Sequence, residues 1–217
     1  MKTLKNLILL LFVVFNQFLF AQTKKDSLTV KTTFTNIEQA LKNPENVFRL
    51  DLSNQKLNVL PQNWAKFTNL EYLDLSNDHL KNIPNEISEL KNLKILNLSG
   101  NDFSELPKDF EKLTNIEEIY FNNDKNFDIK KSIIFLEHLP NLKILHLEDD
   151  NLQTLPSEIK KLNQLEKLYL NNNKFKNIPL QIKGLDHLQY LDLKGNQIKV
   201  PTIELERHNF GFKINLN

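Results

Sequence analysis

From Val47 onwards the chain repeats itself with a period of 23 residues, and this periodicity constrains the fold more than any other feature. Segments beginning at residues 47, 70, 93, 116, 142, 165 and 188 align with one another, with one longer interval of 26 residues after residue 116. Two clear copies read LEYLDLSNDHLKNIPNEISELKN and LEKLYLNNNKFKNIPLQIKGLDH. Such a period is typical of a solenoid, in which each unit buries its apolar residues only by stacking on its neighbours.

Each copy contains the signal of one short strand followed by a return. Apolar residues at the fourth and sixth places alternate with polar ones, as Leu73 and Leu75 do, and this alternation predicts a half-buried strand. Prolines such as Pro84 and Pro156 then precede apolar residues at wider spacing, which suits a short helical or 3₁₀ return. Parallel strands should therefore line a concave face, with the returns on the convex face.

The shared pattern LxxLxLxxNxLxxLPxxIxxLxx resembles the 23-residue class of the leucine-rich repeat family, and the resemblance covers residues 47–201. The composition agrees, because 40 leucines and 30 asparagines make up about a third of the 217 residues. The resemblance implies an α/β leucine-rich-repeat solenoid, or horseshoe, with a parallel β-sheet on its concave face. It also implies a non-catalytic module that binds a protein or peptide through that face.

The N-terminal segment has the pattern of a secretory signal peptide. Lys2 and Lys5 precede an unbroken apolar run over 7–15, and Ala21 is a small residue before a polar stretch. We expect cleavage after residue 21, a flexible segment over 22–32, and a secreted or periplasmic bacterial protein. No stable membrane insertion is expected after cleavage, because no later segment is apolar enough to span a bilayer.

The two ends of the array should be capped. Residues 33–46 are predicted to form an N-terminal helical cap, with Thr35 and Glu38 as a capping box. Residues 202–217 should form a C-terminal cap, in which Phe210, Phe212, Ile214 and Leu216 alternate as a last strand or cap would. The irregular repeat 116–141 lacks the LP segment, and its spacing favours a longer convex helix over 128–138.

The sequence gives little sign of chemistry. Lys and Arg total 28 against 27 Asp and Glu, so the balance does not favour a nucleic-acid partner. The chain has no cysteine, which excludes disulfides, thiolate metal sites and cysteine nucleophiles. No HExxH, GxSxG or phosphate-binding glycine motif occurs. We therefore predict neither an enzyme nor a cofactor.

The ninth place of each repeat is an asparagine in the family, and here it carries three aspartates. An amide at this place both donates and accepts hydrogen bonds, whereas an ionised carboxylate only accepts. The aspartates predict weaker turns, and the less favoured alternative is a cation site at Glu148, Asp149 and Asp150. The seven residues of the series are Gln55, Asp78, Asn101, Asp124, Asp150, Asn173 and Asn196.

Aromatic and apolar side chains on the concave face are the candidate binding residues. Tyr120, His146 and Tyr169 occupy the same place in three consecutive repeats, so their side chains should touch in a row. The face sums to about −4 in charge, which favours a neutral or basic partner. A surface-glycan or adhesin-type binder and a structural spacer remain alternatives. The candidate set is Tyr72, Ile95, Tyr120, Ile144, His146, Tyr169 and Tyr190.

Overall fold

A computed structural model describes residues 31–57, 60, 63–199 and 211–216, and the chain divides into two units, Met1–Thr32 and Thr33–Asn217. The described part of the second unit contains one sheet of nine parallel strands, which pair in the order of the sequence. This is the α/β solenoid that the repeats predict. The strands are β1 (Thr33–Phe34), β2 (Arg49–Asp51), β3 (Tyr72–Asp74), β4 (Ile95–Asn97), β5 (Glu118–Tyr120), β6 (Ile144–His146), β7 (Lys167–Tyr169), β8 (Tyr190–Asp192) and β9 (Lys213–Asn215).

The core is a single column of stacked apolar residues. The middle residue of every strand from β2 to β8 has no exposed surface, and burying each such side chain stabilises the array by on the order of 2 kcal/mol. One repeat could not enclose these side chains alone, so the array depends on its neighbours for its core. The middle residues are Leu50, Leu73, Leu96, Ile119, Leu145, Leu168 and Leu191.

Each strand from β2 to β8 leaves the sheet through a turn with a left-handed residue at the eighth place of the repeat. Only glycine adopts this conformation freely, and asparagine and aspartate tolerate it best among the others. At Gly100 an added Cβ would also overlap the side chain of Asn77. The turn explains part of the asparagine bias of the composition. The residues with positive φ at this place are Asn54, Asn77, Gly100, Asn123, Asp149, Asn172 and Gly195.

The ninth-place asparagines both donate and accept hydrogen bonds, as predicted, and these bonds also join consecutive repeats. Asn101 accepts the backbone N–H groups of Asp78 and Leu80 at 3.2 and 3.0 Å. Its amide donates to the carbonyls of Leu75 and Leu98 at 2.9 and 2.7 Å. The amide therefore satisfies backbone groups of two repeats that would otherwise be buried without partners.

A second series of asparagines, at the last place of the repeat, was not predicted. Three of these amides donate to a backbone carbonyl of the preceding repeat, and that of Asn69 donates to the carbonyl of Glu45 in the N-terminal cap, all at 2.7 to 2.8 Å. The recurring Asn before the first leucine is the sequence signal that could have identified the series. Its members are Asn69, Asn92, Asn115 and Asn141.

The segments that return from one strand to the next include short 3₁₀ helices. A proline with φ near −70° immediately precedes four of them, because its fixed φ suits the entry and it needs no hydrogen-bond acceptor. The 3₁₀ helices span Pro44–Asn46, Trp64–Lys66, Asn85–Glu89, Lys108–Lys112, Ser157–Lys161 and Leu180–Gly184.

The irregular repeat replaces its 3₁₀ helix with an α-helix, as predicted. This helix, α2 (Ile129–Leu136), begins after Asp128, whose side chain accepts the backbone N–H of Lys131 at 3.1 Å. Phe127, just before it, stacks on the buried Phe121 at 4.4 Å. Among the residues that the structure describes, no helix is both long and apolar enough to cross a membrane.

The N-terminal cap differs from its prediction in two respects. Strand β1 precedes the helix and pairs with β2, so the cap extends the sheet as well as covering the core. Helix α1 (Ile37–Ala40) is capped by Asn36, which accepts the N–H of Gln39 at 2.9 Å. The predicted capping box of Thr35 and Glu38 is wrong, because the helix begins one residue later and its capping side chain is that of Asn36.

The C-terminal prediction can be examined only in part. Strand β9 pairs with β8, and Phe212, Ile214 and Leu216 pack against the core, as the predicted last strand requires. The signal peptide over 1–21, nearly all of the flexible segment over 22–32, and the cap residues 202–210 and 217 lie outside the described residues.

Candidate functional site

The residues on either side of each buried strand centre point away from the core and form two rows on what we call the open sheet face, the predicted concave face. The strand register aligns them one by one. The first row is Arg49, Tyr72, Ile95, Glu118, Ile144, Lys167 and Tyr190, and the second row is Asp51, Asp74, Asn97, Tyr120, His146, Tyr169 and Asp192.

The predicted contact between Tyr120, His146 and Tyr169 is confirmed. The Tyr120 and His146 rings are nearly parallel, with their centroids 3.9 Å apart. The His146 and Tyr169 rings are 4.4 Å apart and inclined by 3°. Adjacent strands lie about 4.8 Å apart, so planar side chains in register stack with little adjustment. We call these three residues the central stack.

Two glutamates hold the histidine of the central stack. His146 is 8% exposed. Its Nε2 lies 3.0 Å from Glu118 Oε1, and its Nδ1 lies 3.1 Å from Glu148 Oε1. Carboxylates only accept hydrogen bonds, so both contacts are hydrogen bonds when the imidazole carries a proton on each nitrogen. The arrangement fixes the ring plane and places a carboxylate group at each nitrogen of the imidazole.

Glu118 also orders the first ring of the stack. The Tyr120 hydroxyl donates to Glu118 Oε1 at 2.7 Å. Sequence reasoning included neither Glu118 nor Glu148 among the binding residues. A signal was present, because residues two apart on a strand share a face. Glu118 is two residues before Tyr120, and Glu148 is two residues after His146.

The tyrosine hydroxyls differ in their partners. Tyr72 and Tyr190 donate to Asp74 and Asp192, each at 3.0 Å. The Tyr169 hydroxyl, by contrast, has no hydrogen-bond partner within the described part of the chain. It is therefore available to a ligand as a donor.

The tyrosines of this face remain neutral well above physiological pH. Burial, reinforced by the Asp74 carboxylate, raises the pKa of Tyr72 to about 12. Burial and the hydrogen bond to Glu118 raise the pKa of Tyr120 further. Burial and neighbouring carboxylates also raise the pKa of Tyr169 and of Tyr190. All four phenols can thus act as hydrogen-bond donors.

Outside the central stack, the second row has a local structural role. The carboxyl or amide oxygens of four of its members accept the backbone N–H two residues further on, which closes the turn after the strand. These bonds run from Ser53 to Asp51, Ser76 to Asp74, Ser99 to Asn97 and Lys194 to Asp192, at 2.9 to 3.1 Å. The three central repeats have a ring at this place, so the repeat itself does not require the aromatic residues.

Two of the three turns of the central repeats, those after Tyr120 and His146, are closed by bonds between repeats. The N–H of Asn122 donates to the Ser99 hydroxyl at 3.1 Å, and the N–H of Glu148 donates to the Asn122 side chain at 3.0 Å. In these turns a side chain of the preceding repeat replaces the local turn-closing side chain, and the backbone of the turn stays the same.

The remaining candidate residues lie around the central stack. The Arg49 guanidinium covers the Tyr72 ring at 3.9 Å, so that one face of this ring is occupied. Ile95 and Ile144 lie half-buried in the first row. The Tyr190 ring is 5.5 Å from Tyr169 and tilted by 54°, which continues the aromatic surface beyond the stack.

The three residues considered for a cation do not converge. Glu148 contacts His146 on the open sheet face. Asp149 occupies the left-handed turn position, and Asp150 points inward to the backbone N–H of Asp124. In the described ranges there is no cluster of three or more histidine, aspartate or glutamate side chains suited to a metal ion.

The chain belongs to the leucine-rich repeat family. A leucine-rich repeat region model matches residues 27–139, and a second leucine rich repeat model matches residues 140–198. Such repeats typically form non-catalytic scaffolds for protein interactions, which is consistent with a binding role. No curated protein sequence matches the chain.

Solved structures show the same architecture. A leucine-rich repeat protein of Leptospira interrogans is 29% identical over 86% of this chain, with a TM-score of 0.55. This chain spans 58% of that protein. A chain of the Toll–Spatzle complex of Drosophila, a molecular hub in development and innate immunity, also matches. The match covers 80% of this chain and 24% of the chain in that complex. With 23% identity and a TM-score of 0.59, it shows the fold alone.

Proposed function

We propose that this protein is a non-catalytic module that binds a protein or peptide outside the cytoplasm, through the open sheet face and centrally through the central stack. The observation that carries the proposal is the exchange of residue type in the second row. Four repeats use an aspartate or asparagine there to close their own turn. Three consecutive repeats have a tyrosine, a histidine and a tyrosine instead. Side chains that depart from the structural need of a repeat mark functional positions.

The stack has the properties of an interaction centre. Tyrosine offers a large contact area with few rotatable bonds, and such residues supply much of the energy of protein interfaces. Glu118 and Glu148 already hold the Tyr120 and His146 rings, and Tyr169 stacks on His146, so little side-chain freedom is lost on binding. The free Tyr169 hydroxyl adds a donor beside them.

The size and charge of the face suit one partner. Strands β2 to β8 span roughly 29 Å at about 4.8 Å per gap, and about seven residues per repeat span roughly 23 Å along the strands. The face therefore covers about 670 Å², a little below the roughly 800 Å² that each side of a standard interface contributes. Two charge pairs at its edge, Lys94 with Glu71 and Lys143 with Glu166, are matched within 3.6 Å. Acidic groups near the stack, Glu118 and Glu148, then favour a neutral or basic partner.

A surface glycan fits the stack less well than a protein does. Sugars bind aromatic side chains through the ring faces, and the facing sides of the stacked rings cover one another at 3.9 and 4.4 Å. A glycan binder is therefore the second outcome of the test, and a spacer without a ligand is the third.

Photo-crosslinking tests the proposal directly. A photoreactive amino acid in place of Tyr169 should crosslink to one protein in cells, and the same amino acid in place of Lys160 on the convex return should not. Crosslinks to polysaccharide would support the glycan binder. Equal crosslinking at both positions, or none at Tyr169, would contradict binding through this face.

Export is tested separately. The basic residues Lys2 and Lys5, the apolar run over 7–15 and Ala21 support action outside the cytoplasm. N-terminal sequencing of the protein from its native cells should begin at or near Gln22. An intact Met1 in the membrane fraction would show a tethered protein instead.

A further inference from the structure

Three of the seven ninth-place residues are aspartates buried in the core. Asp78, Asp124 and Asp150 are 0%, 1% and 9% exposed. One oxygen of each, Oδ1, accepts a backbone N–H of the preceding repeat at 2.6 to 2.7 Å, as the asparagine oxygens do. The other oxygen, Oδ2, is also buried and has no hydrogen-bond partner in the described part of the chain.

In the neighbouring asparagines an amide NH₂ group takes the place of the aspartate Oδ2 atom. Asn173 and Asn196 both donate through their amides to the carbonyl of Leu170, at 3.0 and 2.9 Å. Phe121 holds the same place in its repeat as Leu170, and Asp124 and Asp150 hold the places of Asn173 and Asn196 relative to it. By this equivalence, the Phe121 carbonyl is the one that Asp124 and Asp150 would share. If Asp124 and Asp150 were ionised, their two Oδ2 atoms would face this carbonyl oxygen, and none of the three oxygens could donate a hydrogen bond.

We propose that Asp124 and Asp150 are neutral carboxylic acids in the folded protein, each donating its proton to the inter-repeat carbonyls that the asparagine amides satisfy elsewhere. Asp78 shares this geometry. These protons then complete hydrogen bonds between repeats, and their release weakens the stacking of the central repeats. This inference concerns the core and does not depend on the proposed binding function.

The electrostatic surroundings favour the neutral form. Burial raises the pKa of Asp124 to about 8 and that of Asp150 to about 7, against the bonds from backbone N–H groups. The charged groups that act on Asp124 are Asp150 and Asp102, and those that act on Asp150 are Glu148 and Asp149. All of them are acidic and raise the pKa further. Burial also raises the pKa of Asp78, with Asp74 adding to it.

The sign of the pH dependence follows from these shifts. An aspartate in the unfolded chain has a pKa of about 3.9, so the folded state holds these protons more tightly. Their contribution to stability is complete below about pH 4 and is lost as the pH rises through about 7 for Asp150 and about 8 for Asp124. Over that interval the folding constant falls by up to about tenfold per pH unit for each carboxyl.

Carbon-13 NMR of labelled aspartate carboxyl groups in the full chain tests the protonation. Two carboxyl signals should titrate near pH 7 and 8, and one should disappear in each of Asp124→Asn and Asp150→Asn. The control Asp186→Asn changes an exposed carboxyl and should leave both signals in place. If every aspartate titrates below about pH 5, the proposal is wrong.

Urea unfolding at pH 5.5 and 8.5 tests the consequence. The folding constant of the natural protein should fall at least tenfold more between these values than that of the Asp124→Asn, Asp150→Asn double variant. In the reverse variant Asn173→Asp the fall should be larger than in the natural protein. An equal fall in all three proteins would overturn the proposal, and so would a loss of stability on adding a chelator, which would show a bound cation.

Discussion

The central and flanking strands of this sheet have the same backbone and register but use the second row differently. In β2, β3, β4 and β8 the residue at this place closes the turn that follows it. In β5, β6 and β7 it contributes a ring to the central stack. The solenoid therefore tolerates the loss of a local capping bond where neighbouring repeats compensate for it. That tolerance lets a repeat protein develop a binding surface without altering its scaffold.

The largest difference between the two regions is expected in stability. His146→Ala leaves Glu118 and Glu148 half-buried without the group that lies between them, and it opens a gap in the stack. We expect a loss of about 3 kcal/mol in the free energy of unfolding. The matched variant Asn97→Ala, in the same row of β4, removes a turn bond and a part-exposed bond to Asp74, and it should lose about 1 kcal/mol. Urea denaturation measures both losses. Equal losses would mean that the contacts of Glu118 and Glu148 with His146 do not stabilise the fold.

The next effect concerns binding. Tyr169→Ala removes a preorganised ring and its free hydroxyl, and it should weaken partner binding by more than about 1 kcal/mol without unfolding the array. Tyr72→Ala should have a smaller effect, because Arg49 already covers one face of that ring. Once a partner has been identified by crosslinking, calorimetry gives both values. A silent Tyr169→Ala with a strong effect of Lys160→Ala would place the function on the convex side.

Replacing an aromatic residue of the central stack with the turn-closing residue of the flanking strands separates structure from function. Tyr120→Asn introduces the side chain that flanking strands use, so the turn at Asn122 can close locally while the stack loses its first ring. We expect the free energy of unfolding to change by less than about 1 kcal/mol and partner binding to be clearly weakened. Thermal unfolding and calorimetry on the same sample provide the comparison. Retained binding would show that the stack is only a structural substitute for the turn residues.

The sequence predicted the parts of the site that depend on the repeat period. Equal places in consecutive repeats are neighbours in a parallel sheet, so the contacts of Tyr120, His146 and Tyr169 followed directly from their spacing. The glutamate contacts with His146 did not, because they depend on side-chain rotamers as well as strand register. The sequence also did not show the role of Asp149, because an aspartate at a left-handed turn position has the same sequence signal as an aspartate in a cation-binding loop.

The N-terminal cap shows a different limit of sequence reasoning. Asn36 and Thr35 are both good capping residues, and Glu38 made Thr35 the apparent choice. The helix has only four residues, Ile37–Ala40, and begins three residues after β1 ends, so the strand limits where the helix can start. Short elements outside the repeat therefore carry less information than the period does.

The smallest effect is expected from the charges at the edge of the face. Lys143 pairs with Glu166 at 3.2 Å beside the central strands, and Lys94 pairs with Glu71 at 3.6 Å beside the flanking ones. Both lysine side chains are about half exposed, at 52% and 46%, so solvent screens the attraction. Lys143→Gln and Lys94→Gln should each change the free energy of unfolding by less than about 0.5 kcal/mol, and the difference between them should vanish in 1 M salt. Urea denaturation at two salt concentrations measures this. A loss above 1 kcal/mol for Lys143→Gln alone would show that the central strands also depend on their edge charges, and that the distinction between the regions extends beyond the stack.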